Sequence, residues 1–279
     1  MQKTFLSATF TFASLTSLAL LPLLGFSHSA AAEEEPQPAM VVIIDDLGDN
    51  LKKGLAAVHL PGPVTLAIMP HTPFGPRLAQ AGHQLGKEIM LHAPMENHAG
   101  MRLGPGGLTS QMSETTFKKI LQDGIASIPH VEGINNHMGS ALTEKAQPMR
   151  WTMDIVSGQG LYFIDSRTSA KSQALAQAQA QNIASQSRDV FLDNDLAPAA
   201  LEKQFQQALR IANRYGSVIL IGHTYPASIQ FLQDNLPKLD EMGIRLVSAS
   251  ALLYDVEQAH QRPEVQLAQS NEDPNAHPH

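Results

Sequence analysis

The 279-residue sequence contains no cysteine. The chain therefore forms no disulfide bonds and offers no thiolate to a metal, so its core alone stabilises the fold and any metal must be held by His, Asp or Glu. It also lacks any run of lysine or arginine, and its formal net charge is −7. This charge pattern argues against nucleic acid or an anionic membrane surface as the main partner.

Residues 1–32 have the pattern of a secretory signal peptide. Lys3 supplies the positive n-region, an apolar stretch follows from Phe5 to Phe26, and three alanines end at Ala32, before Glu33. A transmembrane anchor is the alternative, because the apolar stretch is nearly long enough to span a bilayer. The small residues before a charged, proline-containing segment favour cleavage. We therefore expect a periplasmic protein that keeps no stable membrane anchor once the signal is removed.

After a short charged linker at residues 33–39, strand-like apolar runs alternate with helix-like segments. The runs occupy residues 41–44, 64–69, 88–91, 131–135, 161–164, 189–192, 217–221 and 244–248. Because they are apolar without alternation, they are typical of parallel strands covered by helices on both faces. About seven such units in one α/β domain, residues 40–254, favour a (β/α) barrel, and a doubly wound open sheet is the alternative. Residues 255–279 lose this periodicity and are predicted to be disordered.

Local signals place several helices. Ser113 is a predicted N-cap, and a helix ending just before Gly216 has a proline near its start. Another helix is predicted to start at Thr143, and an Ala/Gln-rich surface helix over residues 169–185.

Ionisable residues directly follow five of the strand-like runs. They are Asp45, Asp46, His92, His137, Asp165 and His223. Any one of them alone is better explained as a turn or cap residue. In a parallel α/β fold, however, all strand C-termini lie on one face, where the connecting loops build the site. The sequence therefore predicts a convergent polar site.

These residue types narrow the chemistry. One carboxylate and two imidazoles form a set that holds zinc with an open position for water. Such a metal lowers the pKa of the water and polarises a carbonyl oxygen. A second carboxylate can then act as base and a further histidine as acid. The inventory fits metal-assisted hydrolysis of an amide or ester.

Several motifs resemble those of a known family. "IIDDLG", "GHQLGKEIMLHAPME" and "VILIGHTYP" are similar to the first, second and last motifs of NodB-homology polysaccharide deacetylases. Together with "GINNHMGS", "FIDSRTS" and "DVFLDND", they resemble the divergent polysaccharide deacetylase family of exported bacterial proteins. The resemblance implies a distorted barrel of about seven strands, a divalent metal, usually Zn²⁺, and removal of N- or O-acetyl groups from a glycan.

The leading hypothesis is therefore a deacetylase of an envelope glycan such as peptidoglycan, with metal-bound water as nucleophile. The alternative is a catalytically silent envelope module that keeps the fold and binds a glycan or a protein partner. The resemblance assigns Asp45 as catalytic base, Asp46 and His92 as metal ligands, and His223 as the acid that protonates the leaving group.

The sequence departs from the larger family at three places, one of which is the absence of an Asp-x-x-Asp-Trp segment. Where that family has a second metal-binding histidine, this chain has Glu96, so we expect His137 to replace the missing imidazole. Glu96 is then a weak ligand or an outer-shell partner. The usual Arg-x-Pro-aromatic segment is also absent, and residues 135–138 stand near its place.

Four further residues are expected around the site. Asn136 and Asp193 are assigned to the outer shell or the substrate, with a helix cap as the alternative for Asp193. Asp165 is expected to position a histidine or the metal. Arg167 is expected to bind a substrate carboxylate or sulfate, or else to pair with a neighbouring acid. The long loop from His92 to Ser110 is expected to cover the site and carry specificity.

Overall fold

The computed structural model describes residues 37–261. The predicted signal peptide, most of the predicted linker and residues 262–279 of the predicted tail lie outside the described residues. Within residues 37–261, no helix combines the length and the apolar character needed to cross a bilayer.

Strands and helices alternate along the described chain, as the apolar runs predict. The strands are β1 (Ala39–Leu47), β2 (Thr65–Ile68), β3 (Glu88–Met95), β4 (Val131–Met138), β5 (Tyr162–Asp165), β6 (Ser185–Ser187), β7 (Val190–Phe191), β8 (Ser217–His223) and β9 (Arg245–Val247). The helices are α1 (Leu51–Val58), α2 (Gly75–Gln84), α3 (Glu114–Ala126), α4 (Ala146–Gly158), α5 (Ala174–Ala180), α6 (Pro198–Tyr215), α7 (Pro226–Asn235) and α8 (Ala249–Gln261), and two 3₁₀ turns follow α7.

All strand pairs are parallel, and they form a distorted barrel. The order is β6-β5-β4-β3-β2-β1-β8-β7, and β9 pairs with the start of β1. One continuous segment joins the two edges, because β6 pairs with β5 and β7 pairs with β8. Between them, Arg188 N donates to Asp165 O (2.9 Å) and Asp189 N donates to Ile219 O (3.0 Å). The predicted barrel is confirmed, and the open sheet is not observed among residues 37–261.

Alternate residues of the strands face two different apolar layers. On β1, Met40, Val42 and Ile44 belong to the large cluster packed against the helices. The intervening residues of β1 join a second cluster of strand residues together with Ala249, Leu252 and Leu253 of α8. This second cluster fills the barrel interior, and α8 covers its lower end. Burial on both faces explains why the strands read as continuous apolar runs.

Helix α8 extends beyond the predicted end of the domain. The predicted boundary is residue 254, and α8 continues to Gln261. No glycine or proline interrupts the sequence between Ala249 and Arg262, so nothing in the local sequence stops the helix. At its start, the buried Glu88 carboxylate accepts hydrogen bonds from Ala249 N and Ser250 N, both at 3.1 Å. These bonds satisfy backbone donors that a helix N-terminus leaves unpaired.

The other helix predictions have mixed outcomes. The Ser113 side chain caps α3 by accepting from Thr116 N, and Gly216 ends α6 with a φ of 82°, as predicted. Helix α4 starts at Ala146 rather than at Thr143, whose hydroxyl instead donates to Gly139 O (2.8 Å) in the preceding turn. The predicted helix over residues 169–185 is reduced to α5. Asn182, with a φ of 54°, turns the chain into β6.

Candidate metal centre and active site

The interior of the barrel changes from apolar to polar at the C-terminal ends of the strands. Each polar residue lies two positions after an interior residue of its own strand, and successive interior positions of a strand are two residues apart. The pairs are Ile43 and Asp45, Met90 and His92, Gly133 and Asn135, and Ile221 and His223, with His137 following Asn135. The site is thus the top layer of the same interior that α8 covers below.

Asp46 reaches this layer through a local irregularity in β1. Its backbone is left-handed, with a φ of 63°, and the pairing of β1 with β2 shifts register between Ile44 and Leu47. Leu47 returns to the helix-facing cluster. The bulge therefore directs two consecutive carboxylates toward the interior, and aspartate is one of the few residues that tolerates this conformation.

Three side-chain atoms form a compact triangle at the centre of the site. Asp46 Oδ1 lies 2.9 Å from His137 Nδ1 and 3.2 Å from His92 Nε2. The two histidine nitrogens are 3.1 Å apart. Asp46 Oδ1 is buried, yet no directional hydrogen bond to it is formed by the described residues.

The triangle fits a divalent metal. Donors at about 2.0–2.1 Å from tetrahedral zinc lie about 3.3 Å from one another, close to the observed separations. One carboxylate and two imidazoles also leave a coordination position open for water or substrate. A metal would in addition provide the partner that Asp46 Oδ1 lacks.

The charges in the site depend on one another. Burial lowers the pKa of His92, but the carboxylates of Asp45 and Asp46 outweigh burial and raise it to about 9. Burial works against ionisation of Asp46, yet the close rings of His137 and His92 outweigh burial and bring its pKa below the usual range. For Asp45, burial dominates over the nearby histidines and raises the pKa.

Asp45 lies beneath the triangle and is almost completely buried. Its Oδ1 accepts a hydrogen bond from Asn135 Nδ2 (2.8 Å) and is 3.6 Å from His92 Nδ1. The other end of the same amide, Asn135 Oδ1, is 2.7 Å from His92 Nδ1. Asn135 thus bridges the two predicted functional residues.

His223 is the last residue of β8, which pairs with β1 on the side away from β2, and it approaches the triangle from that side. Its Nε2 is 4.0 Å from Asp46 Oδ2, and its Nδ1 is 2.9 Å from Asp193 Oδ1. The second oxygen of Asp193 accepts from His223 N (2.6 Å) and from Ser228 Oγ (2.7 Å). Burial lowers the pKa of His223, but the hydrogen bond and charge of Asp193, with the charges of Asp45 and Asp46, raise it overall.

A cleft of about 490 Å³ opens beside the triangle. Asp46 and His137 form part of its wall, and residues 102–105 of the long loop after β3 form another part. His71, with a left-handed φ of 56°, also lines it. The loop therefore lies where the sequence predicts, next to the site.

The sequence model of the divergent polysaccharide deacetylase family matches residues 42–253. The chain belongs to the divergent polysaccharide deacetylase family. It is 33% identical over 241 residues to the uncharacterized protein YibQ of Escherichia coli K12, which covers 85% of this chain and 73% of YibQ.

Two solved structures show the same fold. The uncharacterized protein ATU2773 of Agrobacterium tumefaciens C58 has a TM-score of 0.75 at 24% identity, over 78% of this chain and 90% of that one. The peptidoglycan deacetylase PdaC of Bacillus subtilis has a TM-score of 0.51 at 15% identity, over 83% of this chain and 97% of that one. At these identities both likenesses concern the fold alone.

Within this family member, none of the five predicted outer residues reaches the triangle. Glu96 Oε2 accepts from Ser110 N (2.8 Å), which lowers the pKa of Glu96 and fixes the loop after β3. Asn136 Oδ1 accepts from Ser166 N (2.9 Å), and Asp165 Oδ1 accepts from Arg167 N (2.8 Å). In the structure, the side chains of Glu96, Asn136 and Asp165 therefore accept hydrogen bonds from the backbone of nearby loops.

Arg167 is the fourth of these residues. Its side chain is exposed after β5, and no ion pair of Arg167 is present in the described part of the chain. Asp193 contacts His223 rather than the triangle.

Asn135 is a functional residue that its position near the end of a strand does not single out, because its neighbour Asn136 shares that position. Alternation along β4 separates the two neighbouring asparagines, since Ile134 and Asn136 point away from the interior and Asn135 points into it. The two-residue spacing from Gly133 is the sequence signal that selects Asn135.

Proposed function

We propose that this chain is a divalent-metal-dependent hydrolase that removes acetyl groups from a polysaccharide or peptidoglycan. The observation that carries the proposal is the triangle of Asp46, His92 and His137, flanked by Asp45 on one side and by His223 on the other. Membership of the deacetylase family and the fold shared with PdaC, a peptidoglycan deacetylase, support the same reaction class.

Asp46, His92 and His137 would hold the metal, with Zn²⁺ as the proposed ion because the donors are one carboxylate and two imidazoles. The ion would polarise the acetyl carbonyl and lower the pKa of a water molecule. All other steps belong to side chains of this protein.

Asp45 accepts a proton from the water as the water oxygen bonds to the acetyl carbon. His223, held by Asp193, then donates a proton to the leaving nitrogen or oxygen as the bond from the acetyl carbon to that atom breaks. Acetate and the free amine or alcohol are the products. One buried carboxylate and one oriented imidazole thus supply the base and the acid.

The cleft gives the proposed glycan a place to bind. Arg102 lines it, and Arg167 is exposed just after β5. We extend the proposal to glycans with a carboxylate or sulfate, and to the periplasm as the site of action, for which the pattern of residues 1–32 is the support.

Acetate release tests this function. Purified, zinc-loaded protein is incubated with acetylated chito-oligosaccharides and with peptidoglycan fragments, next to Asp46→Asn. Asparagine matches aspartate in size and tolerates the left-handed backbone, so this variant removes the charge with little strain. We expect acetate from the wild type only. Zinc-loaded wild type that retains the glycan and releases no acetate would contradict the proposal and indicate a glycan-binding module.

A further inference from the structure

We infer that Asn135 is the positioning residue of this site, because its single amide contacts both Nδ1 of His92, the ring nitrogen opposite the metal-ligating Nε2, and the carboxylate of Asp45. The inference rests on the proposed function for the identity of the base and the ligands. Its geometric basis is the bridge of 2.8 Å to Asp45 and 2.7 Å to His92.

The chemistry of the three groups fixes the orientation of the amide. An ionised carboxylate only accepts hydrogen bonds, so the amide nitrogen of Asn135 must face Asp45. The amide oxygen then faces His92 Nδ1, and because that oxygen also only accepts, His92 Nδ1 must carry a hydrogen. A flipped amide would place two acceptors 2.8 Å apart.

The orientation determines which nitrogen of His92 can bind a metal. With Nδ1 protonated and donating to Asn135, the lone pair of a neutral His92 is on Nε2. Nε2 is the atom that lies 3.2 Å from Asp46 Oδ1 and 3.1 Å from His137 Nδ1. A metal-ligating histidine usually has its other ring nitrogen held by a carboxylate, carbonyl or water, and an asparagine takes that place here.

Burial makes the bridge rigid. The side chain of Asn135 is fully buried, and that of His92 is almost entirely buried. In such surroundings an amide that loses one partner leaves a polar group unpaired, so the bridge has one satisfied arrangement. The protein thereby places its base and one metal ligand with the same residue.

Two substitutions separate the two halves of this role. Asn135→Ala removes both hydrogen bonds. Asn135→Asp keeps an acceptor for His92 Nδ1 but places a second carboxyl group against Asp45. Two carboxyl groups this close share a proton, so Asp45 is less able to accept one from water. Asn235→Ala, at the C-terminal end of α7, is the control for loss of a partly buried amide that makes two hydrogen bonds, since its side chain donates to Phe231 O and accepts from Lys238 Nζ.

Zinc affinity of each protein is measured by competition with a chromophoric chelator, together with acetate release and the melting temperature. For Asn135→Ala we expect zinc affinity to fall about 10- to 100-fold and activity to fall with it. For Asn135→Asp we expect zinc affinity within a few-fold of wild type and acetate release at least about 10-fold lower. A slowly exchanging Nδ1–H signal of His92 in the zinc-loaded protein should be present in wild type and absent from Asn135→Ala.

Unchanged zinc affinity in Asn135→Ala would overturn the inference. So would parallel losses of affinity and activity in both variants that follow their melting temperatures, since a merely structural residue gives that result. Wild type that binds no zinc would overturn the ligand set and the role of Asn135 with it. Zinc binding without acetate release in wild type would contradict the deacetylase proposal while leaving the affinity test of Asn135 intact.

Discussion

Replacing Asp193 by asparagine is a stringent test of the acid assigned to this site. Asp193 accepts three hydrogen bonds, one at Oδ1 from His223 Nδ1 and two at Oδ2 from His223 N and Ser228 Oγ. The asparagine side chain has only one oxygen. In the place of Oδ2 that oxygen accepts two hydrogen bonds, whereas in the place of Oδ1 it would accept one. The amide nitrogen then faces His223 Nδ1 and favours the tautomer in which that atom accepts.

The expected changes in stability and in kcat follow from this exchange. A hydrogen bond to a charged group contributes about 1.5–3 kcal/mol and a neutral one about 0.5–1.5 kcal/mol, so this exchange should reduce the free energy of unfolding by about 1–1.5 kcal/mol. For a domain of this size, that corresponds to a melting temperature lower by about 2–6 °C. A neutral imidazole is a poor proton donor, so kcat should fall by about 10²- to 10⁴-fold, the range that general acid catalysis supplies.

Acetate release and thermal unfolding measure the two effects separately. Ser228→Ala is the matched control, because it removes one hydrogen bond from Asp193 and leaves the His223 contact in place; its kcat should change only a few-fold. Asp193→Asn with the kcat of wild type would refute His223 as the acid.

Three further predictions concern the barrel and the metal. Glu88→Gln should reduce the free energy of unfolding by about 1–3 kcal/mol in urea, because the amide leaves the Ser250 N–H unpaired, and it should not change zinc affinity. Gly133→Ala should cost about 1–3 kcal/mol in the same assay, because its Cβ would lie 2.2 Å from the ring of Tyr162. Zinc at 100 times its Kd should stabilise wild type by about 2.7 kcal/mol, and a chelator should reverse this; an unchanged melting curve would contradict the metal site.

Much of this architecture could be predicted because it depends on continuous patterns. Eight apolar runs correspond to eight strands, since burial on both faces requires apolar residues throughout. The strand β6, Ser185–Ser187, has no apolar residue, and only Ser185 falls within the helix predicted over residues 169–185. The pairing of β6 with β5 comes from its place at the closure of the barrel. Tertiary position outweighs local propensity there.

The residues of the site were partly predictable for a similar reason. Histidines and aspartates after strands share the C-terminal face of the barrel, but only interior positions reach the centre. Asp165 ends β5 one residue after the interior Ile164 and therefore misses the site. Asp46 faces the interior even though the alternation along β1 would point it away, because a bulge that no sequence pattern predicts turns it inward.

Zinc content after dialysis tests the central claim most directly. The account predicts one zinc per wild-type chain and a large loss in Asp46→Asn, His92→Ala and His137→Ala. Glu96→Gln should keep wild-type content, because its carboxylate is bonded to Ser110 N rather than to the triangle. Full zinc content in all three ligand variants, or its loss in Glu96→Gln alone, would contradict the assignment of Asp46, His92 and His137 as the metal centre.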